Sequence, residues 1–382
     1  MLVKLKDIAF VVGGATPSTA NPDYYNGNII WITPKDLAQN KGSKYIYKGE
    51  RNISELGFSK SNTYKIPANN ILISTRAPIG YIAINKVECC TNQGFKTLIC
   101  DNKKVNVDFL YYLLNTKMKS IENLGTGTTF KEVSKESIEN FEINLPSLEE
   151  QNKIAKILSN IDDQIERNNA MVKRLQDFGN TIYSKTFSSE NKMISLLTFP
   201  YIKLIPPGIN KFNSEKRYIA TADVTEKNIN YKADFITYNN RENRANMQPV
   251  YNSVWFAKMK DSIKHIFIPN IDNILVSNYI FSTGFIGFSC EDIAFEYLVN
   301  YISSKYFEDM KNRLCHGATM QSINNEDLKS MKIILPEKSK LIEFHNRTNE
   351  IYKKISKIQE INISLTTLKT NLLPLLINGQ LQ

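Results

Sequence analysis

Cysteine and histidine are scarce in this chain of 382 residues, and neither is arranged to hold a metal ion. The five cysteines form no C-x-x-C pair, and the three histidines form no cluster with them. Structural zinc sites need closely spaced Cys and His ligands, so we expect no bound metal. So few cysteines also argue against a disulfide-stapled secreted domain. The thiols are therefore predicted to be reduced and structural.

Long apolar runs are also missing. No stretch of eighteen apolar residues occurs, and the first residues, MLVKLKDIAFVVGG, lack a signal-peptide cleavage pattern. A membrane-spanning helix needs about 20 apolar residues, and a secretory leader needs a cleavage site. Apolar residues nevertheless make up 42% of the chain, as in ordinary core-bearing domains. We expect a soluble, cytoplasmic protein.

Motifs for catalysis or nucleotide binding are absent as well. There is no Ser/His/Asp arrangement and no paired-carboxylate motif. Residues 21–24, NPDY, resemble the N-P-P-Y tetrapeptide of adenine methyltransferases, but the second proline and an F-x-G-x-G loop for S-adenosylmethionine are missing. Residues 125–131, GTGTTFK, fit neither a P-loop nor a dinucleotide-binding fingerprint. We therefore predict a non-catalytic chain that binds no cofactor of its own.

Positive charge is abundant, at +10 with the histidines neutral. Such an excess favours a polyanionic partner such as nucleic acid. A composition rich in Lys, Asn and Ile is also typical of an AT-rich genome. Net charge alone leaves both explanations open.

The most informative feature is a repeat at a separation of 190 residues. Residues 127–146 read GTTFKEVSKESIENFEINLP, and residues 317–336 read GATMQSINNEDLKSMKIILP. The same offset pairs Gly94-Phe95 with Gly284-Phe285. Two long copies do not make a solenoid. They predict two similar domains related by a pseudo-twofold axis.

The predicted fold class is α+β, in four segments. Two globular domains, residues 1–145 and 188–336, alternate with two long helices, residues 146–187 and 337–382. Strand-like runs in the first domain lie at 28–33, 45–49, 70–75 and 81–84, and a helix is predicted at 107–119. In the second domain we predict strands at 218–224 and 273–281 and a helix at 295–310.

Each long helix carries the seam of a coiled coil. Apolar residues recur at alternating spacings of three and four, as in a/d positions. Such helices can pair antiparallel with each other, or each can lie on its own domain. The polar seam positions Asn168 and Asn362 differ between the repeats, which favours pairing with each other over self-pairing. The predicted pairing residues are Ile154, Leu158, Ile161, Ile165, Val172, Leu175, Ile351, Ile355, Ile358, Leu365, Leu368 and Leu372.

Candidate DNA contacts lie on loops. Arg76, beside a Pro/Gly turn, can fork onto a guanine edge or a phosphate, although a surface ion pair is an equal alternative. The glycine-rich loop with Thr128 and Lys131 suits a phosphate contact or a plain turn. The loop after the first strand offers Thr33, Lys35 and Asp36. In the second domain, weaker analogy selects Arg217, Tyr218, Asn278, Ser282, Thr283 and Arg313.

Several segments resemble the specificity subunit of type I restriction-modification systems. Residues 145–168, LPSLEEQNKIAKILSNIDDQIERN, look like its central conserved region. Residues 16–37, 73–84 and 91–100 resemble one class of target-recognition domain in that family. The second half departs more, since Pro336 is followed by EKSKLIEF instead of a P-x-x-E-Q pattern. The resemblance covers the whole chain in its order of domains and helices.

The resemblance implies a non-catalytic reader of double-stranded DNA. Each domain would bind one half of an asymmetric bipartite site, and the helix pair would set the gap. It implies two modification subunits carrying S-adenosylmethionine, and restriction subunits, as partners. Two rival hypotheses remain. The chain could be the recognition part of a fused methyltransferase-nuclease, or a scaffold with one degenerate domain.

Overall fold

A computed structural model describes residues 1–39, 43–127, 131–225, 228–229, 234–318 and 321–380. The chain divides into two compact units. Unit 1 combines Met1–Asp163 with Lys369–Gln382, and unit 2 is Gln164–Leu368. Each of the two long helices has one part in each unit. The domain boundaries drawn from the sequence follow helix ends instead, and they stay a prediction.

Unit 1 is an α+β unit. Its strands are β1 (Leu2–Lys4), β2 (Ala9–Gly13), β3 (Tyr25–Ile32), β4 (Tyr45–Ile46), β5 (Arg51–Ile53), β6 (Asn70–Thr75), β7 (Ile79–Asn85), β8 (Cys90–Thr91), β9 (Phe95–Cys100) and β10 (Glu142–Asn144). Its helices are α1 (Pro34–Gln39), α2 (Glu55–Ser59), α3 (Val107–Glu122), α4 (Lys135–Glu139) and the first part of α5 (Leu148–Phe187).

The core sheet of unit 1 has the order β2-β9-β6-β7-β4. Its central strand β6, NILIST, is buried along its whole length, as an apolar β-branched run favours. Helix α3 packs on this sheet, and Phe109 and Leu110 share a buried cluster with Ile71 and Ile73. Asn106 caps the helix by accepting the Phe109 N–H at 3.0 Å. A second sheet has the order β5-β3-β8, with β3 and β8 parallel.

Unit 2 holds the second set of elements. Its strands are β11 (Met193–Ser195), β12 (Ile202–Leu204), β13 (Lys216–Ile219), β14 (Val224–Thr225), β15 (Asn228–Ile229), β16 (Phe235–Ile236), β17 (Ala245–Met247), β18 (Ser253–Ala257), β19 (His265–Ile268), β20 (Tyr279–Ser282), β21 (Phe285–Cys290) and β22 (Lys332–Ile334). Its helices are the second part of α5, α6 (Ile274–Asn278), α7 (Phe295–Ile302), α8 (Lys305–Leu314) and most of α9 (Lys338–Ile377).

The sheets of unit 2 repeat those of unit 1. The order β12-β21-β18-β19 corresponds to β2-β9-β6-β7, and β16-β13-β20 corresponds to β5-β3-β8. Strands β13 and β20 are parallel, as β3 and β8 are. In each unit a short antiparallel pair, β1-β10 or β11-β22, precedes the repeat's long helix. The repeat in the sequence therefore corresponds to a repeated fold, and the predicted α+β class is confirmed.

Three predicted elements of unit 2 differ from the structure. The strand predicted at 218–224 ends at Ile219, and a 3-10 helix at Thr221–Asp223 separates it from β14. Residues 274–278, expected to be strand, form α6 before β20 begins. Asn273 accepts the Leu275 N–H at 2.9 Å, and the Ile274 N–H donates to Glu360 of α9 at 3.0 Å. Tertiary contact thus overrides the β-branched composition. The helix predicted at 295–310 is two helices, because the chain breaks at Ser303 and Ser304 caps α8.

Helices α5 and α9 run antiparallel within each unit. In unit 1 the Lys369 Nζ lies 2.6 Å from Asp162 Oδ1. In unit 2 Asn168 donates to Asn362 at 2.7 Å, and further along α5 a Cβ at Gly179 would lie 2.7 Å from the Tyr352 hydroxyl oxygen of α9. Residue numbers that rise on one helix meet falling numbers on the other, so the predicted antiparallel pairing is confirmed. Apolar residues of both helices share the buried clusters of the units. Members are Ile154, Leu158 and Leu372 in unit 1, and Val172, Leu175, Ile351, Ile355 and Ile358 in unit 2.

The predicted seam is not correct at every position. Ile161 is buried and Ile165 and Leu365 are half-buried, whereas Leu368 is 47% exposed. The position next to it, Lys369, makes the ion pair to α5 instead. A 3.6-residue helix drifts about 20° per heptad from a strict seven-residue repeat, so the apolar series on α9 leaves the contact face.

Gly179 lets a tyrosine lie directly on α5. A Cβ at this position would come within 2.7 Å of the Tyr352 hydroxyl oxygen on α9. That hydroxyl accepts a hydrogen bond from Asn300 of α7 at 2.7 Å, and Tyr352 is 5% exposed. The glycine in the seam therefore serves close packing of α5, α7 and α9 within unit 2.

A buried polar network ties α5 to the sheet of unit 1. The Lys44 ammonium, 2% exposed, lies 2.6 Å from Asp108 and donates to Tyr112 at 3.1 Å and to Ser159 of α5 at 2.8 Å. The Tyr112 hydroxyl donates to Asp162 of α5 at 2.6 Å. Burial lowers the pKa of Lys44, and the nearby Asp108 opposes this shift.

The Asn168–Asn362 layer should matter to stability as a pair. Replacing Asn168 with Leu should lower the unfolding free energy by about 1–3 kcal/mol, because Asn362, 8% exposed, loses a partner. Replacing both with Leu should recover most of this loss. Urea unfolding followed by Trp255 fluorescence in a Trp31→Phe background reports on unit 2, since the chain has two tryptophans. Equal losses in the single and double variants would contradict the pairing.

Candidate nucleic-acid interface

One edge of the core sheet in unit 1 gathers several loops. Strands β2 and β6 end there, and β9 begins there. At the end of β6, the Thr75 N–H donates to the Gly94 carbonyl at 2.7 Å, and the Thr75 carbonyl accepts from the Val133 N–H at 3.0 Å. The ends of β3 and β8 join it, since the Asn92 N–H donates to the Ile32 carbonyl. We call the described residues of segments 14–17, 33–36, 76–78, 92–96 and 125–132 the loop edge of unit 1.

Arg76 lies on this edge in a small charge cluster. Its Nη1 is 3.5 Å from Glu132 Oε2, and Lys96 Nζ is 3.1 Å from Glu132 Oε1. The ion pair that the sequence left open is therefore present. Arg76 is still 36% exposed, and a guanidinium has five N–H donors. One contact at 3.5 Å leaves donors available for a base edge or a phosphate.

The loop after β3 has a structural member and an exposed one. Asp36, 6% exposed, accepts from the Thr33 N–H, from the Thr33 hydroxyl and from the Glu50 N–H at 2.6–2.7 Å. The prediction that Asp36 contacts DNA is therefore wrong, because both carboxylate oxygens are used to shape the loop. Thr33 is half-buried in the same loop. Lys35 is 65% exposed and lies 2.6 Å from Glu50.

The glycine-rich loop lies on the same edge. Thr126 and Glu132 bridge as a short antiparallel pair. Lys131 beside them is exposed. Thr128 lies outside the described residues. Sequence reasoning missed Thr16 and Gln93, whose side chains hydrogen-bond to each other here, and Lys96.

Unit 2 has the equivalent edge. The Lys258 N–H donates to the Gly284 carbonyl at 2.9 Å, and the Lys258 carbonyl accepts from the Ile323 N–H at 3.1 Å. Lys258 therefore stands where Thr75 stands in unit 1, at an offset of 183 (258 − 75). His316 and Ser322 form the same short bridge as Thr126 and Glu132. We call the described residues of segments 220–222, 258–264, 283–284 and 315–323, with Arg244, the loop edge of unit 2.

The structure brings few of the predicted residues of unit 2 to this edge. Tyr218, 7% exposed, and Ser282, 1% exposed, are buried in the sheet, so their prediction as DNA contacts is wrong. Arg217 and Asn278 lie at the other end of β13 and β20, and the Arg217 guanidinium is stacked 4.4 Å over Phe235. A four-residue strand separates Asn278 from the edge.

Two predicted residues do lie at or beside the edge of unit 2. Thr283 is half-buried, and its N–H donates to the Arg244 carbonyl at 2.9 Å. Arg313 is exposed at the end of α8, where its Nε donates to the Asp309 carbonyl at 3.3 Å. Arg313 lines a surface depression together with Lys260, Asp309, Asn312 and Cys315.

The cations Arg244, Lys258, Lys260 and Lys264 were missed in the sequence. Their position follows from the hydrogen bonds around Gly284, which unit 1 repeats around Gly94. The matching Gly-Phe pairs were a usable signal. Insertions between the strands, however, shift the offset from 190 to 183, so that a fixed alignment does not reach Lys258.

The described part of the chain offers no site for a metal ion or for a reactive thiol. No group of three or more His, Cys, Asp and Glu residues there could hold a metal ion. All five cysteines are free. Burial raises the pKa of Cys89 to about 12 and that of Cys90 to about 11, away from reactive thiolates. Among the described helices, none combines the length and apolar character needed to cross a bilayer.

The chain matches known sequences along its length. Residues 1–177 match the family model of the type I restriction modification DNA specificity domain. The type I restriction enzyme MjaIX specificity subunit of Methanocaldococcus jannaschii is 29% identical over 410 residues, 99% of this chain and 93% of that protein. The EcoR124I/EcoR124II specificity subunit of Escherichia coli is 30% identical over 165 residues, 41% of this chain and 40% of that protein. Residues 1–177 therefore match the specificity domain of this family, and the whole chain is similar to a type I restriction enzyme specificity subunit.

A solved structure has the same fold. The S subunit of a type I restriction-modification system from M. genitalium aligns with a TM-score of 0.57 and 15% sequence identity, covering 98% of this chain and 95% of that one. At this identity the likeness concerns the fold alone.

Proposed function

We propose that this chain reads an asymmetric, bipartite site in double-stranded DNA, with one loop edge for each half. The observation that carries the proposal is the recurrence of one edge in two units with different side chains. Unit 1 presents Arg76 and Lys96 around Glu132, and unit 2 presents Arg244 and Lys258 around Gly284. The same scaffold with different side chains suits different half-sites. The target therefore need not be palindromic.

The paired helices would set the gap between the half-sites. Each is 40 residues long, or about 60 Å at about 1.5 Å per residue. Half-sites read from one face of B-DNA lie about 34 Å apart, within the reach of such rods. The Asn168–Asn362 layer supports a single register for the pair.

The chemistry would reside in partner subunits. We infer that two modification subunits, which bind S-adenosylmethionine, methylate the site that this chain selects. Restriction subunits would translocate and cleave DNA. In this division the chain itself is non-catalytic and binds no cofactor.

Methylome sequencing tests the proposal. A strain expressing the chain with its modification subunit should acquire methylated adenines in one sequence motif with two defined halves and a fixed gap. The purified chain alone should neither methylate nor cut DNA. Failure of specific DNA binding even with the modification subunit present would leave only a scaffold role. S-adenosylmethionine turnover by the chain alone would refute the non-catalytic assignment.

Arg76→Ala should relax recognition of one half-site only. Loss of a bidentate contact to a base is worth about 1–3 kcal/mol of discrimination, or roughly 5–150-fold. The measurement is methylation of a panel of sites that differ by one base in each half. Lys153→Ala is the matched control, because Lys153 is an exposed, ion-paired cation on α5. An unchanged panel for Arg76→Ala would remove this residue from the interface.

A further inference from the structure

The cations at the loop edge of unit 2 lie close together. A Cβ added at Gly284 would lie 3.3 Å from the Arg244 Nη2 and 2.8 Å from the Thr221 Cγ2. The Lys264 ammonium donates to the Thr221 carbonyl at 2.6 Å. The Lys258 N–H donates to the Gly284 carbonyl. The Arg244 guanidinium and the Lys264 ammonium therefore lie beside Gly284 and Thr221, and the backbone of Lys258 is bonded to the same Gly284.

Among the residues that the structure describes, no acidic side chain pairs with the cations of this cluster. Within the described ranges, no carboxylate lies within 4.0 Å of the charged groups of Arg244, Lys258 or Lys264. Burial lowers the pKa of Lys258, and the Arg244 charge lowers it further. Burial also lowers the pKa of Lys264, against the opposing effect of Asp223. Each lysine is thus destabilised as a cation by its surroundings, and an anion would relieve this.

Unit 1 differs at the equivalent place. There Glu132 lies in the short bridge beside the end of β6 and forms ion pairs with both Arg76 and Lys96. The residue at the matching bridge position in unit 2 is Ser322. The repeat therefore retains the backbone arrangement while replacing the carboxylate with a neutral side chain. Ser322 also bridges Met259, the residue after Lys258, so the neutral side chain lies on the same loop edge as Lys258.

We propose that Arg244, Lys258 and Lys264 form a seat for one backbone phosphate of bound duplex DNA. This inference rests on the proposed function. Ammonium groups contact phosphates as point charges, and a guanidinium can fork onto two phosphate oxygens. Such contacts carry no sequence information but fix the position of the duplex. In unit 2 these three cations thereby position the duplex and leave base contacts to other side chains of the same loop edge, while in unit 1 the Glu132 carboxylate restrains Arg76 for base contact.

The test compares the intact chain with an R244Q/K258Q/K264Q variant, each with the modification subunit. Binding to duplexes with and without the methylated motif is measured by fluorescence anisotropy at several salt concentrations. Losing one neutralised phosphate should reduce the slope of log K against log salt by about 0.9, and weaken binding roughly eightfold at about 0.1 M salt. Both duplexes should be affected alike. K305Q is the control, because Lys305 is an exposed lysine of α8 without an ion pair among the described residues.

The Tm of the variant shows whether weaker DNA binding comes from the lost charges or from misfolding. Removing three neighbouring like charges should leave the Tm unchanged or raise it, whereas a folding defect would lower it. Should a lower Tm appear, single variants that retain the parental Tm give the same slope test. If a folded variant keeps the slope of log K against log salt of the unaltered chain, the proposed phosphate seat is wrong, even when specific binding is intact. Absence of specific binding by the unaltered complex would instead overturn the proposed function.

A thermal-shift test with inorganic phosphate separates a site for free phosphate from a site for a DNA phosphate. The DNA seat predicts no rise in the Tm of the intact chain at millimolar phosphate beyond that of the triple variant. A saturable rise in the intact chain only, together with unchanged DNA binding in the variant, would identify a free-phosphate site and overturn the proposal.

Discussion

Inserting one heptad into each long helix should lengthen the gap in the methylated motif by about 3 base pairs, with both half-sites unchanged. Seven residues add about 10 Å at about 1.5 Å each, and duplex DNA rises about 3.4 Å per base pair. Insertions between Asp163 and Gln164 and between Leu368 and Lys369 fall at the division between the compact units, so that each unit is kept whole. Methylome sequencing measures the gap.

A matched control carries the heptad in α5 alone. This insertion shifts one helix against the other, separating either the Asp162–Lys369 ion pair or the Asn168–Asn362 layer from its register. We expect it to abolish site-specific methylation. A paired insertion that leaves the gap unaltered would refute the helices as the spacer.

Lys311→Met should destabilise unit 2 by about 3–5 kcal/mol, because it leaves a buried charge without its main partner. Lys311 is 0% exposed, and its ammonium lies 2.7 Å from Glu308 and donates to the Ser262 carbonyl at 2.8 Å. The other Glu308 oxygen contacts His265 at 3.0 Å. Urea unfolding followed by Trp255 fluorescence, in the Trp31→Phe background, measures the loss.

Two further variants define the cause. Lys305→Met, on the exposed side of the same helix, should change the unfolding free energy by less than about 0.5 kcal/mol. Replacing Glu308 together with Lys311 by apolar residues should recover much of the loss, since no unpaired charge remains. A similar loss for Lys305→Met and Lys311→Met would show that helix composition, rather than the buried pair, is responsible.

Acid should weaken the same cluster. Burial alone would raise the pKa of Glu308, but hydrogen bonds from His265 and Lys311 outweigh it, so the pKa is lowered. A carboxyl whose pKa is lower in the folded state stabilises the fold above its unfolded pKa of about 4.3. This contribution is lost as the pH falls through the folded pKa.

The repeat, the α+β class and the long helices could be predicted because their signals are local or periodic. Strands such as β6 and helices such as α3 follow from apolar runs and a capping Asn106. The strand predicted over 274–278 failed because contacts of α6 with Asn273 and Glu360 decide that segment. The contact with Glu360 joins residues 86 positions apart and has no local pattern.

The residues of the candidate interface also fall into those that the sequence could predict and those that it could not. Arg76 beside its turn was accessible to sequence reasoning, because loop residues next to Pro and Gly are exposed by default. Asp36, Tyr218 and Ser282 were not, since burial depends on which strands pack over them. The cluster around Gly284 was also hidden, because insertions between strands move its members out of the 190-residue alignment.

Local composition and periodicity thus determine two similar α+β units, two long amphipathic helices and a surplus of positive charge. Tertiary structure alone decides which charges meet, such as Glu132 with Arg76, and that unit 2 has Ser322 at the bridge position where unit 1 has Glu132. It also turns Lys369 rather than Leu368 toward α5. The reason is physical: charge pairing and burial depend on distances between residues far apart in the chain, which neither composition nor spacing encodes.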